Sequence, residues 1–423
     1  MNSILKKIYN FSRDIKLDDS IYKIEKCDIL FFCHDVDRSI SLKGKAYSPL
    51  IDSIREDLEK RGLKCISISH PWSKLTGEKG FNSPVSINRS YLFSIFSNFL
   101  KKKVGFAFFF TDLDSLYKKI FLVSMPKVII TIGCSDELCC QARLLKICHL
   151  ELLHGIGYTS LPWGWDRKEI HYLPQGVLTL DQKSFETFTP LSERGINVKL
   201  IPHPFLRRFI PSNLVNLPSD WFPLTNKLNG KKVILVSLQW SYAGDHGDYF
   251  EFANILKNGL FFEEIEKLVA ENVEIFWRFR FHPVQLKLDK YKYLLDYMDE
   301  FVARYPNSEW RESSFLPFPI IAMSCEGNIT MSSMSCYDAA VFGVTSLMLC
   351  PTLLPGSIHQ DWFLDLEGEG YVFKVKSEYE NIKSWILNVK KVSPRTSNLD
   401  NDQDWEDFLN GILNYKYSNF NKV

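Results

Sequence analysis

Short apolar runs alternate with longer amphipathic segments along most of the chain. The run at 28–33 is apolar after its first residue and predicts a buried strand, whereas segment 48–62 repeats apolar residues every three or four positions and stops at a glycine. The same alternation returns up to residue 203 and begins again after residue 231. Repeated strand–helix–strand units of this length predict an α/β fold built on parallel sheets with helices on both faces.

One segment interrupts this alternation. Residues 209–231 contain three prolines and many turn-forming residues, which is typical of a linker or hinge. We therefore expect an N-terminal Rossmann-like domain at 1–208, a linker at 209–231, a second Rossmann-like domain at 232–395, and a C-terminal helix at 396–423. Open α/β sheets bind ligands outside the carboxyl ends of their strands, so a cleft between the two domains is the predicted site.

Charge and cysteine content narrow the classes of protein. The 423 residues include 51 Lys and Arg against 50 Asp and Glu, a net charge of +1 that argues against a general nucleic-acid binder. The ten cysteines form no CxxC motif and share no familiar zinc spacing with the histidines. Most cysteines lie in apolar runs, which favours reduced thiols and a cytoplasmic protein.

Two stretches combine lysines with apolar residues. Segment 4–9 and segment 94–103 have this composition, and the strongest apolar run, 104–110, is too short to span a bilayer. Such stretches fit either a solvated helix face or a helix lying on an anionic membrane. The N-terminus lacks the features of a signal peptide. We expect a cytoplasmic protein, and peripheral contact with the cytoplasmic face of the inner membrane is the alternative to a solvated helix face for these two stretches.

The second predicted domain contains a cluster of hydroxyl groups where a strand gives way to a helix. Ser332, Ser333 and Ser335 follow the strand "GNITM". Backbone N–H groups at such a junction attract anions and serine hydroxyls add donors, although serine also serves there simply as a helix N-cap. Neither a GxGxxG motif nor a Walker lysine motif is found in this segment.

A second group of cations lies in the strand "WRFRFHP". Arg278, Arg280 and His282 occupy alternate positions and therefore one face. Buried cations require anions, so either a nucleotide phosphate or structural ion pairs would satisfy this face. We group Gln239, in the run that opens the domain, with Arg280, His282 and the serines as candidate donor ligands.

Three carboxylates are candidates for catalysis. Asp245 and Asp248 lie in a glycine-containing loop after a predicted strand, a position that suits either catalytic groups or ordinary turn formers. Glu151 ends an apolar strand, where burial would raise the pKa of its carboxyl towards that of a general acid or base. The alternative for Glu151 is an ion pair with a nearby arginine such as Arg143.

Further polar residues follow strands of the first domain. His34, Asp35 and Arg38 come just after the first strand, and His154 lies in a His-Gly turn after the strand that carries Glu151. We expect these four residues to face the cleft on its acceptor side.

Taken together, these motifs resemble a known set of enzymes. The His154-Gly155 turn, the "RFHP" motif and the segment "SSMSCYDAAVFG" resemble those of bacterial GT-B glycosyltransferases that assemble surface polysaccharides. The His-Pro and serine motifs are similar to those that bind CMP in polysialyltransferases and Kdo transferases. The carboxylate loop looks most like that of the retaining β-Kdo transferases. CDP-glycerol polyol-phosphate transferases share similar motifs.

The resemblance implies a transfer of Kdo from CMP-Kdo onto a glycan of capsule or lipopolysaccharide, on a lipid-linked acceptor. It implies that His282 and the serines hold the CMP phosphate, that Arg280 assists or binds the donor carboxylate, and that Glu151 is the acid/base. Either Asp245 or Asp248 would be the nucleophile of a retaining reaction. No metal and no permanently bound cofactor are expected. The alternatives are a CDP-glycerol or polyol-phosphate transferase and a CMP-sialic acid transferase of the same fold.

Overall fold

The computed structural model describes residues 19–104, 112–210, 217–218, 221, 228, 230–239, 255–395, 399 and 402–414, with the backbone alone for 98–104. Contacts divide the chain into two compact units. Unit 1 contains Met1–Arg207 and Asn398–Val423, and unit 2 contains Arg208–Ser397. The predicted linker lies largely outside the described ranges, so its role as a hinge remains a prediction.

Unit 1 is built on a six-stranded parallel sheet. The strands of this sheet are β1 (Ile29–Cys33), β4 (Cys65–Ser69), β5 (Val128–Thr131), β6 (Cys148–Leu152), β7 (Gly176–Thr179) and β8 (Asn197–Leu200). Strands β2 (Ile40–Leu42) and β3 (Lys45–Tyr47) form a separate antiparallel hairpin. The order across the sheet is β4-β1-β5-β6-β7-β8. Leu30 and Phe32 of β1 enter one core cluster while Phe31 enters another, so both faces of the sheet are covered.

In the described part of unit 1, five α-helices precede the second unit along the chain. They are α1 (Ile51–Lys60), α2 (Asn88–Val104), α3 (Leu113–Ser124), α4 (Asp136–Leu144) and α5 (Gln182–Phe188). Side-chain caps begin three of them: Asp112, Ser135 and Asp181 each accept a hydrogen bond from the backbone N–H three residues later. Helix α4 therefore begins directly after Ser135, whose hydroxyl caps it.

Unit 2 is also built on a six-stranded parallel sheet, but its strand order differs from that of unit 1. Its strands are β9 (Lys232–Ser237), β10 (Ile275–Arg280), β11 (Ser308–Glu309), β12 (Gly327–Thr330), β13 (Thr345–Met348) and β14 (Val372–Lys374). They are parallel, in the order β11-β10-β9-β12-β13-β14. Alternate residues of β9 again enter two different core clusters. Its helices are α6 (Glu263–Glu271), α7 (Pro283–Lys287), α8 (Lys292–Arg304), α9 (Arg311–Phe315), α10 (Phe318–Met323), α11 (Ser335–Val341), α12 (Leu364–Gly368) and α13 (Tyr379–Asn388).

The last helix, α14 (Asp402–Leu413), belongs to unit 1 although unit 2 precedes it in the chain. Four of its apolar side chains complete a core cluster of the first sheet: Trp405, Phe408, Leu409 and Ile412. The carboxylate of Glu406 accepts from Arg61 at 2.5 Å. Unit 1 is therefore assembled from two separate stretches of sequence.

Each sheet has a point where the chain reverses its direction of travel across the strands. In unit 1 this switch lies between β1 and β5, and in unit 2 between β9 and β12. Loops at such points diverge and leave a crevice at the carboxyl ends of the strands. The α/β prediction with two doubly wound parallel sheets is confirmed. Among the described helices, none is both long and apolar enough to cross a bilayer.

Candidate functional sites

A cavity of about 520 Å³ opens at the carboxyl ends of the strands of unit 1. The loops after β1, β4, β5 and β6 contribute to it, so it includes the switch point of this sheet. Its walls contain ionisable and aromatic side chains in a small space. The lining residues are His34, Val36, Asp37, His70, Ile132, Gly133, Cys134, Ser135, Glu151, His154, Trp163, Trp165 and Lys168.

Glu151 is the buried carboxyl group of this cavity. Its Oε1 accepts from Gly133 N at 2.5 Å, and its Oε2 accepts from Cys134 N at 3.2 Å and from the Thr131 hydroxyl. Burial raises the pKa of Glu151 to about 7, against the opposing effect of the hydrogen bonds from Thr131 and Gly133. Arg143, proposed as an alternative partner, donates instead to backbone oxygens at 173 and 174.

Two histidines stack beside Glu151 in the cavity wall. The rings of His34 and His70 lie 3.5 Å apart, centroid to centroid, at an interplanar angle of 19°. Burial, with a further contribution from His34, lowers the pKa of His70 to about 4, and burial also lowers the pKa of His34. Both rings are therefore neutral at pH 7 and act as hydrogen-bonding groups. His70 was missed in the sequence, although it follows β4 just as His34 follows β1.

Aromatic residues form another part of the wall. Trp163 is 48% exposed and packs against Trp165 at a centroid distance of 5.3 Å. Lys168 adds a cation near them and pairs with Asp136 at 2.6 Å. An exposed indole beside hydrogen-bonding groups suits a sugar ring, whose C–H face stacks on aromatic surfaces while its hydroxyls bond to polar side chains. The only signal in the sequence was the aromatic loop "LPWGWD".

The four predicted acceptor-side residues, His34, Asp35, Arg38 and His154, have different surroundings in the structure. His34 and His154 line the cavity, as Glu151 does. The carboxylate of Asp35 accepts from the backbone N–H of Lys74 at 2.6 Å, so it supports a loop. The prediction that Arg38 faces the cleft is wrong, because its side chain is fully buried and its guanidinium donates to Asp52 at 2.8 Å. A buried cation needs a buried anion, and Asp52 supplies it.

A second cluster lies at the switch point of unit 2. Gln239 follows β9 and Ser332 follows β12, the two strands on either side of the switch. The backbone N–H of Ser332 donates to Gln239 Oε1 at 2.6 Å, and Gln239 Nε2 lies 3.5 Å from the Ser332 hydroxyl. The structure thus brings together two of the predicted donor ligands.

The remaining serines continue this loop into α11. Ser333 Oγ accepts from the backbone N–H of Ser335 at 3.2 Å. The hydroxyl oxygen of Ser335 is buried and has no hydrogen-bond partner among the described residues. A buried hydroxyl without a partner costs free energy, which a bound polar ligand would recover. The N-cap position of α11 is held by Met334, while Ser333 Oγ satisfies the N–H of Ser335, the first helical residue.

His282 caps the short helix after β10. Its ring Nδ1 accepts from the backbone N–H of Val284 at 3.2 Å, and the backbone N–H of His282 donates to the side-chain oxygen of Gln285. Burial, then the nearby Arg280, lower the pKa of His282 to about 4. The ring is therefore neutral, and because Nδ1 accepts a hydrogen bond, the proton resides on Nε2. His282 can offer a hydrogen-bond donor but not the positive charge that the sequence suggested.

The two arginines of the same strand have partners within unit 2. Arg278 is buried, 3.7 Å from the carboxylates of Glu309 and Glu312. Arg280 donates to the backbone oxygens of Ser313 and Leu316, the latter at 2.8 Å. The ion pairs of Arg278 are the structural alternative to a nucleotide phosphate, and Arg280 is satisfied by backbone oxygens instead. The role of Arg280 toward a donor therefore remains a prediction.

The two candidate nucleophiles, Asp245 and Asp248, lie outside the described residues. The described part of unit 2 contains another carboxyl group close to Arg280, namely Asp338 of α11. Burial raises the pKa of Asp338 to about 7 even though Arg280 opposes the change. Asp338 was not singled out in the sequence, because an acidic residue in the first turn of a helix is ordinary.

No protein-family profile matches this chain, and no curated protein matches it in sequence. Several solved structures, however, are similar to it in fold. MnaA of S. aureus with UDP is similar over 93% of this chain and 98% of its own, at 12% identity and a TM-score of 0.51. The UDP-GlcNAc 2-epimerase of Neisseria meningitidis bound to UDP-GlcNAc is similar over 92% of this chain and 100% of its own, at 13% identity and a TM-score of 0.50. The UDP-GlcNAc 2-epimerase of Methanocaldococcus jannaschii with UDP-GlcNAc and UDP is similar over 90% of this chain and 99% of its own, at 12% identity and a TM-score of 0.52. At such low identity these likenesses establish the fold alone: the chain has the GT-B fold, with two parallel-sheet units.

Proposed function

We propose that this protein is a glycosyltransferase that uses a CMP-linked sugar, most specifically CMP-Kdo, and transfers the sugar to a glycan acceptor. One observation carries the proposal: Gln239 and Ser332 are joined by hydrogen bonds at the switch point of the second sheet, where open α/β sheets bind their ligands. The known structures of similar fold that contain UDP or UDP-GlcNAc support a nucleotide-linked donor.

The chemistry of this cluster suits a phosphate in the donor. Ser335 has a buried hydroxyl oxygen with no partner among the described residues, and Ser332 and Ser333 add two more hydroxyls close by. His282 adds an Nε2–H donor at the end of the neighbouring strand β10. Hydrogen bonds from neutral donors stabilise a departing nucleotide phosphate without a metal ion, provided the donors are already oriented.

On the acceptor side, the cavity of unit 1 supports binding of a sugar. Trp163 offers an exposed aromatic face, and the neutral histidines His34 and His70 offer polar atoms. Glu151 is the buried carboxylate in this cavity, and we propose it as the group that faces the acceptor hydroxyl. Asp245 or Asp248 remains our proposed nucleophile, by the resemblance to the retaining β-Kdo transferases.

Ligand binding tests the donor class first. Thermal shifts with CMP, CDP, UDP and GDP should show stabilisation by CMP or CDP alone, since binding only to the folded state raises the melting temperature. Substitution His282→Asn is the sharpest variant, because an amide oxygen can replace Nδ1 as acceptor for Val284 N while the Nε2–H donor is lost. We expect CMP to bind about 10- to 100-fold more weakly to this variant. Ser384→Ala, an exposed serine of α13, is the matched control and should bind CMP normally.

Product analysis tests the reaction. Incubation with CMP-Kdo and a lipopolysaccharide or capsule oligosaccharide should release CMP and form a glycosidic bond, and Glu151→Gln should abolish transfer while CMP binding persists. A phosphodiester product from CDP-glycerol would assign the chain to the polyol-phosphate transferases instead. Stabilisation by UDP, together with epimerisation of UDP-GlcNAc, would overturn the proposal.

A further inference from the structure

Three side chains with metal-binding donors meet beneath the cavity of unit 1. Cys134 lies in the loop after β5, Cys139 in the first turns of α4, and His149 within β6. Their donor atoms all lie within 4.8 Å of one another. The imidazole of His149 and the side chain of Cys139 are fully buried, and Cys134 lines the cavity. The proposed glycosyl transfer uses none of these three groups.

The hydrogen bonds around His149 determine which ring nitrogen is available. Glu151 accepts three hydrogen bonds on its two oxygens, one of them from the Thr131 hydroxyl. When Glu151 is ionised, the Thr131 hydroxyl donates its single proton to the carboxylate, so Thr131 Oγ1 accepts from His149 Nε2, which lies 2.8 Å away. His149 Nε2 therefore donates to Thr131, and Nδ1 is the ring nitrogen that is left to bind another group.

The Nδ1 atom of His149 has no partner with ordinary hydrogen-bond geometry among the described residues, although the ring is completely buried and interacts with the side chain of Cys139. A buried nitrogen with an unused lone pair is unfavourable unless something binds it. Neutral imidazole with one nitrogen hydrogen-bonded to a fixed partner is the state in which histidine binds metals, because that partner holds the ring in place. Thr131 is that partner here.

We propose that Cys134 Sγ, Cys139 Sγ and His149 Nδ1 bind one zinc ion. Two thiolates and an imidazole are the donors that zinc prefers, and in a tetrahedral site they lie about 3.5–3.8 Å apart. The observed spread of up to 4.8 Å is closed by small side-chain rotations. Water supplies the fourth ligand, and the ion reaches the site through the cavity that Cys134 lines. Such an ion would connect β5, α4 and β6 beneath the cavity, and it is separate from the donor phosphate.

Metal content tests this inference directly. The chain is purified without a chelator or a histidine tag, dialysed against a zinc solution, and then dialysed against zinc-free buffer. It should retain about one zinc ion per molecule. Cys139→Ser should lose it, whereas Cys140→Ser, the adjacent and partly exposed cysteine of the same helix, should retain it. Cobalt in place of zinc should produce the visible and near-ultraviolet bands of a tetrahedral thiolate complex.

Thr131→Val tests the histidine argument separately from folding. Valine has the same shape and removes the partner of His149 Nε2, so zinc should still bind in a one-to-one ratio but about 10- to 100-fold more weakly in competition with a chelator. A chain without zinc after dialysis, equal retention by Cys139→Ser, or an intact Cys134–Cys139 disulfide in the purified protein would each overturn the inference. These results are independent of the donor nucleotide, so the zinc site and the glycosyltransferase proposal can fail separately.

Discussion

The buried pair of Arg38 and Asp52 offers the most direct test of how unit 1 is stabilised. The two groups lie 2.8 Å apart, and neither side chain is exposed. At an effective dielectric constant of 20, their attraction is about 6 kcal/mol, which is offset by several kcal/mol of lost hydration for each ion. The pair as a whole therefore contributes little, but removal of one member leaves a buried charge alone. Arg38→Met should lower the free energy of unfolding by about 3–5 kcal/mol.

A double-mutant cycle separates this structural role from a role in acceptor binding. Asp52→Leu alone should also destabilise, because the Arg38 cation loses its partner. The double variant should be more stable than Arg38→Met, since no charge is then left buried. Urea unfolding monitored by tryptophan fluorescence provides the three free energies. If Arg38→Met changes the free energy of unfolding by less than 1 kcal/mol while acceptor binding is lost, Arg38 faces the ligand and does not serve as the buried partner of Asp52.

Three further predictions concern backbone, acid stability and the C-terminal helix. Gly343→Ala should destabilise unit 2 by several kcal/mol in urea unfolding, because the added Cβ would clash with the carbonyl oxygen of Val392 and the residue has a φ of +69°. Gly356→Ala is the matched control: its φ is +83° but the space around it is open, so it should cost only about 1 kcal/mol of strain. Burial lowers the pKa of His203 to about 4. The contribution of the neutral ring to the free energy of unfolding, about 3 kcal/mol, is therefore complete above pH 6.5 and is lost as the pH falls towards 4. His203→Asn keeps an acceptor for the backbone N–H groups of residues 205 and 206, and it should reduce this acid dependence in melting curves. Trp405→Ala should cost about 3–5 kcal/mol in the unfolding of unit 1, and an unchanged transition would contradict its place in that core.

The strands and helices were predictable because their signals are local. Strand β1, helix α1 and the cap at Ser135 can each be identified from fewer than 20 neighbouring residues. The α/β class follows from the alternation of such elements, since parallel strands need helical crossovers. The exact partners of each strand could not be derived in this way.

Contacts between distant segments were the part that the sequence could not supply. The proposed zinc ligand His149 is placed by the register in which β5 and β6 pair, with Ile129 opposite His149 and Thr131 opposite Glu151. A shift of one residue would turn those side chains to the other face. Arg38 and Asp52 meet across the hairpin β2–β3, which separates them in the chain. Local patterns contain no information about either pairing.

The position of α14 has a consequence for how the protein is made. A ribosome completes unit 2 before it reaches the helix that closes the core of unit 1, so the first sheet emerges with the face that α14 covers still exposed to water. Nascent chains that stall after residue 397 would carry a finished second unit and an unfinished first one. In the cell, chaperones that bind exposed apolar surface would therefore recognise the N-terminal part of this protein for longer than the part synthesised after it.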